Sequence, residues 1–301
     1  MPSVVVFYHP GAEHSVTRKM LSIGVMPWST LNYHRRKFLE AYGEYVTIGQ
    51  KSPAGGKLHF WGEWEPDSYV SKLSNVTPRF LHIPFLKNPS PTIVPSPGAT
   101  CNNSISCGGN VIPKTTNSYQ NTDPFVFAEN FFYSVCQQIT HNNNPSNMTK
   151  LCKGRIILFG SRVNDQFALD TVFVVGDSKP FTPNNIFKDL SGFAPNDYPL
   201  IMQLSGSQNL VCYKGASYSN PCDGMYSFVP CKTYDKGCFE RPILSISDFA
   251  SCNMAHIMSS GNQNQGRKCT TVKPNEAKMI WDCLRQSIQK QGFLEGFNFK
   301  Y

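Results

Sequence analysis

Two histidines and a glutamate fall within six residues in His9-Pro10-Gly11-Ala12-Glu13-His14. An imidazole beside a carboxylate can move a proton, and two His with a Glu can hold a metal ion. Pro10-Gly11 excludes the helix-borne H-E-x-x-H arrangement, so these groups must act from a loop. A second group, His59-Phe60-Trp61-Gly62-Glu63-Trp64-Glu65-Pro66, sets two indoles among two carboxylates. Flat aromatic surface beside fixed acceptors suits a planar, hydrogen-bonding ligand, for which a nucleobase qualifies. A carboxylate in such surroundings is pushed toward its protonated form by desolvation, which suits general acid–base work. Five of the seven histidines, His9, His14, His34, His59 and His82, lie in the first 82 residues.

Further along, Asn32-Tyr33-His34-Arg35-Arg36-Lys37 is a basic run. Its three cations would point in different directions around a helix, so they do not all address one phosphate. Arg35 and Arg36 are the expected phosphate contacts, with Asn32 and His34 beside them. Asp123, in Asn121-Thr122-Asp123-Pro124, either starts a turn or serves the site. Tyr133 and Gln138 flank Cys136 in a segment read as helical, and both are candidate ligand contacts. Asp170 interrupts the apolar run Phe167–Val175. A carboxylate in a central strand must be hydrogen-bonded or paired, and a partner among the N-terminal His or Arg groups is expected.

Elements able to position these residues can be read from the spacing. Val4–Tyr8 is β-branched and aromatic and predicts a buried strand that delivers His9 at its end. Leu31–Tyr42 has apolar residues at helical spacing before Gly43 and predicts a short helix. Lys57–Glu65 alternates, with Leu58, Phe60, Gly62 and Trp64 on one side and His59, Trp61, Glu63 and Glu65 on the other. Arg155–Gly160 and Phe167–Val175 predict a hairpin in the middle of a sheet. Leu210–Tyr213 and Met225–Val229 add short strands, and Pro274–Lys290 predicts an amphipathic helix with Gly292 after it. Pro- and Asn-rich residues 87–119 read as a polar surface insertion. The expected fold is α+β: a β-rich mixed sheet or partly open barrel with flanking helices and long polar loops, in one domain of 301 residues.

Composition narrows the partners. Only 16% of residues are charged, and 28 Lys+Arg against 20 Asp+Glu give a formal +8, which favours an anionic partner. The N-terminus has neither the charged start nor the apolar run of a signal peptide or membrane span, so a cytoplasmic protein without membrane contact is expected. The eleven cysteines are odd in number and dispersed, without a C-x-x-C pair, and read as mostly reduced thiols. No P-loop, G-x-G-x-x-G, G-x-S-x-G or kinase signature is present, so the common triphosphatase, Rossmann and α/β-hydrolase readings are disfavoured. No cofactor is indicated by any motif, and a metal requirement is left open.

The segments HPGxEH at His9, HRRKF at His34, FWGEWEP at Phe60, NTDPFVF at Asn121, Phe159-Gly160-Ser161, LDTVFVV at Leu169 and DGM at Asp223 together resemble a widespread, largely uncharacterised family of bacterial proteins. That resemblance implies a shared polar and aromatic site but carries no activity. Separately, Gly154–Gly160 with the following apolar strand is similar to the core hairpin of PUA-like barrels, which include readers of modified bases. The resulting expectation is a protein that acts on a nucleotide or nucleic-acid base, in base modification or defence. His9, Glu13, His14 and His82 would form a catalytic or metal cluster, Glu63 and Glu65 supply acid–base groups, and Trp61 and Trp64 stack on the ligand. The alternatives are a non-catalytic reader of modified bases and a metal-dependent hydrolase of a different substrate.

Overall fold

The computed structural model describes residues 4–9, 25–26, 37–64, 68–73, 80–84, 91–93, 111–113, 123–163, 166–202, 207–236, 240–254 and 266–301. The first strands are β1 (Val4–His9), β2 (Val25–Met26), β3 (Lys37–Val46), β4 (Ala54–Gly62), β5 (Ser68–Leu73) and β6 (Phe80–Pro84). They are followed by β7 (Pro91–Ile93), β8 (Val111–Pro113), β9 (Phe125–Phe127), β10 (Asn130–Tyr133), β11 (Ile156–Val163) and β12 (Gln166–Phe181). The last are β13 (Leu210–Gly215), β14 (Val229–Thr233), β15 (Ile243–Leu244), β16 (Gly266–Thr270) and β17 (Leu294–Lys300). Strands dominate, and they form two mixed sheets, so the β-rich reading holds at that level.

The first sheet runs β16-β1-β11-β12-β13-β10-β9, with β15 also on β12. Its centre is apolar on both faces: all of β1 is buried, as is β12 from Phe167 to Val175. That is why these segments read as continuous hydrophobic runs rather than alternating ones. The hairpin of β11 and β12 forms as its sequence predicts, with one irregularity. Phe159 pairs with Thr171 but Gly160 pairs with Leu169, so Asp170 is an extra residue in β12. Such a bulge turns a side chain that strict alternation would send elsewhere. Gly160 is required at this point, because a Cβ there would stand 2.3 Å from the Ala168 carbonyl oxygen and from the Phe167 ring.

The second sheet runs β17-β14-β4-β3-β6-β5-β2, and β17 also pairs with β3. Strands β3, β4, β14 and β17 therefore close a hydrogen-bonded circuit. Along β3 the outer partner changes, from parallel β6 at Phe38 and Leu39 to antiparallel β17 at Tyr42–Val46. This strand corrects the helix expected over Leu31–Tyr42: the described part, from Lys37 onward, is extended. Its residues satisfy period two as well as helical spacing. Leu39 and Ala41 enter the main core, while Phe38 and Glu40 meet Trp61 and His59 of β4. The full ladder with β4 decides between the two periods. Residues 31–36 lie outside the described residues.

Helix Pro274–Lys290, α1 here, begins and ends where the sequence predicts. Ala277, Ile280, Trp281, Leu284 and Ile288 are its buried stripe. Glu276 accepts from the Lys273 amide at 2.7 Å at its start, and Gly292, at φ 78°, ends it. One core cluster includes residues of both sheets and of this helix. Within the polar insertion, β7 and β8 pair as a two-stranded ribbon. Cys252 is disulfide-bonded to Cys283 of α1, an exception within the reading of the cysteines as mostly reduced thiols. Cys136, Cys152, Cys212, Cys222, Cys231 and Cys269 are free, so that reading holds for most of the described cysteines.

Candidate functional site

The functional residues gather where the end of β1 meets the end of β4. Parallel pairing of β1 with β11 sets His9 beside Ser161. His9 packs on Phe7, with ring centroids 4.6 Å apart, and edge-on to Phe159 at 5.9 Å, so its imidazole is held in an aromatic wall. Its Nδ1 lies 2.9 Å from Glu63 Oε2, and both side chains are buried. The alternation of β4 puts His59 and Trp61 on one side as expected, and Glu63 follows Trp61 by two residues, just past the end of the strand. Leu58 and Phe60 point into the main core, and the Phe38, Trp61 and Leu81 cluster lies apart from it.

Arg241 completes the arrangement. Its Nη2 and Nε donate to Asp170 Oδ1 at 2.5 and 3.1 Å, and Nη2 also donates to Ser161 Oγ. The guanidinium lies over the Trp61 ring, 4.5 Å from its centroid. Pairing of Phe167 with Leu244 and Ala168 with Ile243, continued by the Leu169 amide bond to the Pro242 carbonyl, sets Arg241 opposite the bulged Asp170. Side-chain contacts of His9 with Glu63 and of Arg241 with Trp61 and Ser161 are joined by the chain from Trp61 to Glu63 and by the register that pairs His9 with Ser161, and together they close a ring of residues. Asp170 anchors that ring from beneath, with its side chain fully buried. The expected buried pairing of Asp170 is found, but its partner is Arg241, near the other end of the chain, rather than an N-terminal His or Arg.

Other predicted residues have different positions. Trp64 is buried against Phe125 and Tyr301, away from Trp61, and its carbonyl accepts from Lys37 Nζ. His82 is hydrogen-bonded through Nδ1 to Ser68 Oγ at 2.9 Å. It is one residue out of phase with Leu81, so it faces the opposite side of the sheet from Trp61. Tyr133 stacks on Tyr213 with ring centroids 5.8 Å apart and donates to the Cys136 carbonyl. Gln138 bonds both the amide and the carbonyl of Val211. These two pin the turn after β10 to β13; that turn replaces the helix expected around Cys136. Glu13, His14, Asn32, His34, Arg35, Arg36 and Glu65 lie outside the described residues.

Asp123 sits close enough to Glu63 to feel its charge. Its carboxylate accepts the amides of Ser134 at 3.0 Å, Val135 at 2.8 Å and Cys136 at 2.7 Å. Burial pushes its pKa up to about 6 against the pull of those three bonds, and Glu63 adds to the rise. Because the folded-state value exceeds the ordinary 3.8, the folded chain holds this proton longer than the unfolded chain. Asp123 therefore loses stabilising power as pH climbs from about 4 to about 6, by about 3 kcal/mol over the window. Asp123→Asn abolishes that titration and turns an amide donor toward backbone donors. The stability gap between wild type and variant should narrow by that amount between pH 4 and pH 7, as measured by urea unfolding at each pH.

A second His–carboxylate pair lies along the same side of β4. His59 Nε2 is 2.8 Å from Glu40 Oε2, and Lys57 Nζ is 3.0 Å from Glu40 Oε1. Tyr234 packs edge-on to His59. Among the described residues no three His, Cys, Asp or Glu side chains are arranged to hold a metal ion. No helix among them is long and apolar enough to cross a membrane. No protein family, curated protein or solved structure matches this chain.

Ser161 and Arg241 were not among the residues singled out for chemistry. Ser161 had a signal in its place beside a glycine between two apolar strands. Arg241-Pro242 had only the preference of a residue before proline for extended backbone, and two-residue β15 is too short to show a period.

Proposed function

We propose that the ring of His9, Glu63, Trp61, Arg241 and Ser161 is an acid–base site acting on a nucleobase or nucleotide, in a base-modifying or base-processing reaction. The observation that carries this reading is the buried His9–Glu63 pair set beside an Arg-bound serine by the β1–β11 register. Glu63 holds Nδ1 and orients the imidazole, which makes Nε2 the nitrogen that exchanges a proton with a ligand. Arg241, locked by Asp170 and flattened on Trp61, fixes the neighbouring wall. Positioned proton transfer of this kind contributes roughly 100- to 10,000-fold in rate.

The test is to incubate the purified protein with free nucleobases, nucleosides, nucleotides and single-stranded oligonucleotides and to follow product mass. Wild type should convert at least one class, and His9→Asn and Glu63→Gln should each lower the rate about 100-fold or more while keeping the fold. No conversion and no binding across the panel would reject the reading. A second reading, a non-catalytic reader of modified bases, draws on the β11–β12 hairpin that carries the PUA-like resemblance. A reader would bind oligonucleotides without turnover, with affinity falling steeply as salt rises.

A further inference from the structure

The Trp61 indole N–H is buried, and among the described residues it has no hydrogen-bond acceptor. An enclosed donor without an acceptor has given up its bond to water for nothing, a burden that a ligand supplying an acceptor removes. The ring itself is already occupied on one side: Arg241 covers a face, and Phe38 meets it edge-on with centroids 4.4 Å apart. A ligand therefore gains from Trp61 chiefly through this N–H.

Charge narrows what the acceptor can be. Arg241 is matched by Asp170, and Glu63 faces His9. These four groups sum to minus one with His9 neutral and to zero with it protonated. An anionic oxygen would be set beside two buried carboxylates, Glu63 and Asp170, whereas a neutral carbonyl meets no such repulsion. His9 and Glu63 in turn call for a ligand with an exchangeable proton close to that carbonyl.

We infer that the site takes the cyclic amide edge of an oxo-substituted base, its carbonyl oxygen accepting from Trp61 Nε1–H and its ring N–H turned toward the His9–Glu63 pair. The inference rests on the acid–base reading and adds the ligand group. It makes Trp61 a specificity-determining residue: a base lacking the carbonyl leaves the indole donor buried and unanswered.

Titration of ¹⁵N-labelled protein tests it, with the Trp61 indole signal assigned from Trp61→Phe. Uracil or hypoxanthine should move that proton downfield to saturation, while purine, which lacks the carbonyl, and inorganic phosphate should leave it in place. Trp61→Phe keeps an aromatic ring and should weaken uracil or hypoxanthine binding about tenfold or more. Equal movement with purine or phosphate would overturn the inference. So would uracil or hypoxanthine shifting the His9 ring signals with the Trp61 indole unmoved, a result that leaves the acid–base reading standing. If no base disturbs either residue, both fail.

Discussion

Replacing Arg241 by methionine is expected to cost about 3–5 kcal/mol of folding stability, because it removes a cation bonded to a carboxylate that has no exposed side-chain surface. The length and apolar stem of Met preserve much of the packing on Trp61, so the loss reports chiefly on charge. Two further changes sharpen the attribution. Asp170→Asn alone leaves the guanidinium, itself only 8% exposed, facing a neutral amide and should also destabilise. Combining Asp170→Asn with Arg241→Met removes both charges, and the double variant should be more stable than the sum of the two single losses implies, by at least about 1.5 kcal/mol. Urea denaturation of the four proteins measures this coupling. Additive losses would mean that the two residues stabilise the fold separately and that the pair does not hold the ring of side chains together. Arg241 also donates to the Ala168 carbonyl at 3.4 Å, so the Met variant loosens the segment that carries β15 against β12.

A loss of similar size is expected at Glu295→Ala, far from the proposed site. Glu295 is fully buried on β17, yet both of its oxygens are engaged. Arg285 Nε donates to Oε1 and Oε2 at 2.8 Å, Gln289 donates to Oε1 at 2.8 Å, and the Tyr226 hydroxyl donates to Oε2. The network ties α1 to the second sheet, and Arg285 also lies over the Trp281 ring at 4.4 Å from its centroid. Removing the carboxylate leaves a largely buried guanidinium with only the looser Asp282 contact at 3.9 Å as an ion pair and takes the acceptor from Gln289 and Tyr226. Breaking a buried ion pair on one side typically costs about 3–5 kcal/mol. Glu295→Gln keeps an acceptor and should cost less than Glu295→Ala. The predicted order, wild type above Gln above Ala, is checked by denaturant midpoints. An alanine variant within about 0.5 kcal/mol of wild type would show that the network is not holding α1 in place. Neither variant touches the ring around His9, so binding to the remaining folded protein should be unchanged.

What the sequence determined by itself was the set of elements with strong local patterns. The apolar runs of β1, β11 and β12 belong to buried strands because a segment covered on both faces cannot alternate. The stripe in Pro274–Lys290 and its flanking Pro and Gly delimit a helix without reference to anything else. Alternation in β4 assigned Trp61 and Glu63 to one side and Leu58 and Phe60 to the other, and that assignment survives intact.

Only the tertiary structure could decide the rest. Lys37–Tyr42 fits both periods, and the choice of strand comes from the ladder with β4, which no local pattern announces. Alternation had set Trp64 with Leu58 and Phe60, and the tertiary structure supplies what it could not, the partners Phe125 and Tyr301 that take this ring into the main core instead of toward a ligand. The site itself joins residues 9, 61, 63, 161, 170 and 241, a set assembled by a parallel register, a bulge at Asp170 and a two-residue strand. Those are pairing energies summed over whole sheets. A residue's own neighbours in the chain carry almost none of that information, which is why His9 and Asp170 could be named from sequence while Arg241, the residue that holds Asp170 and Ser161, could not.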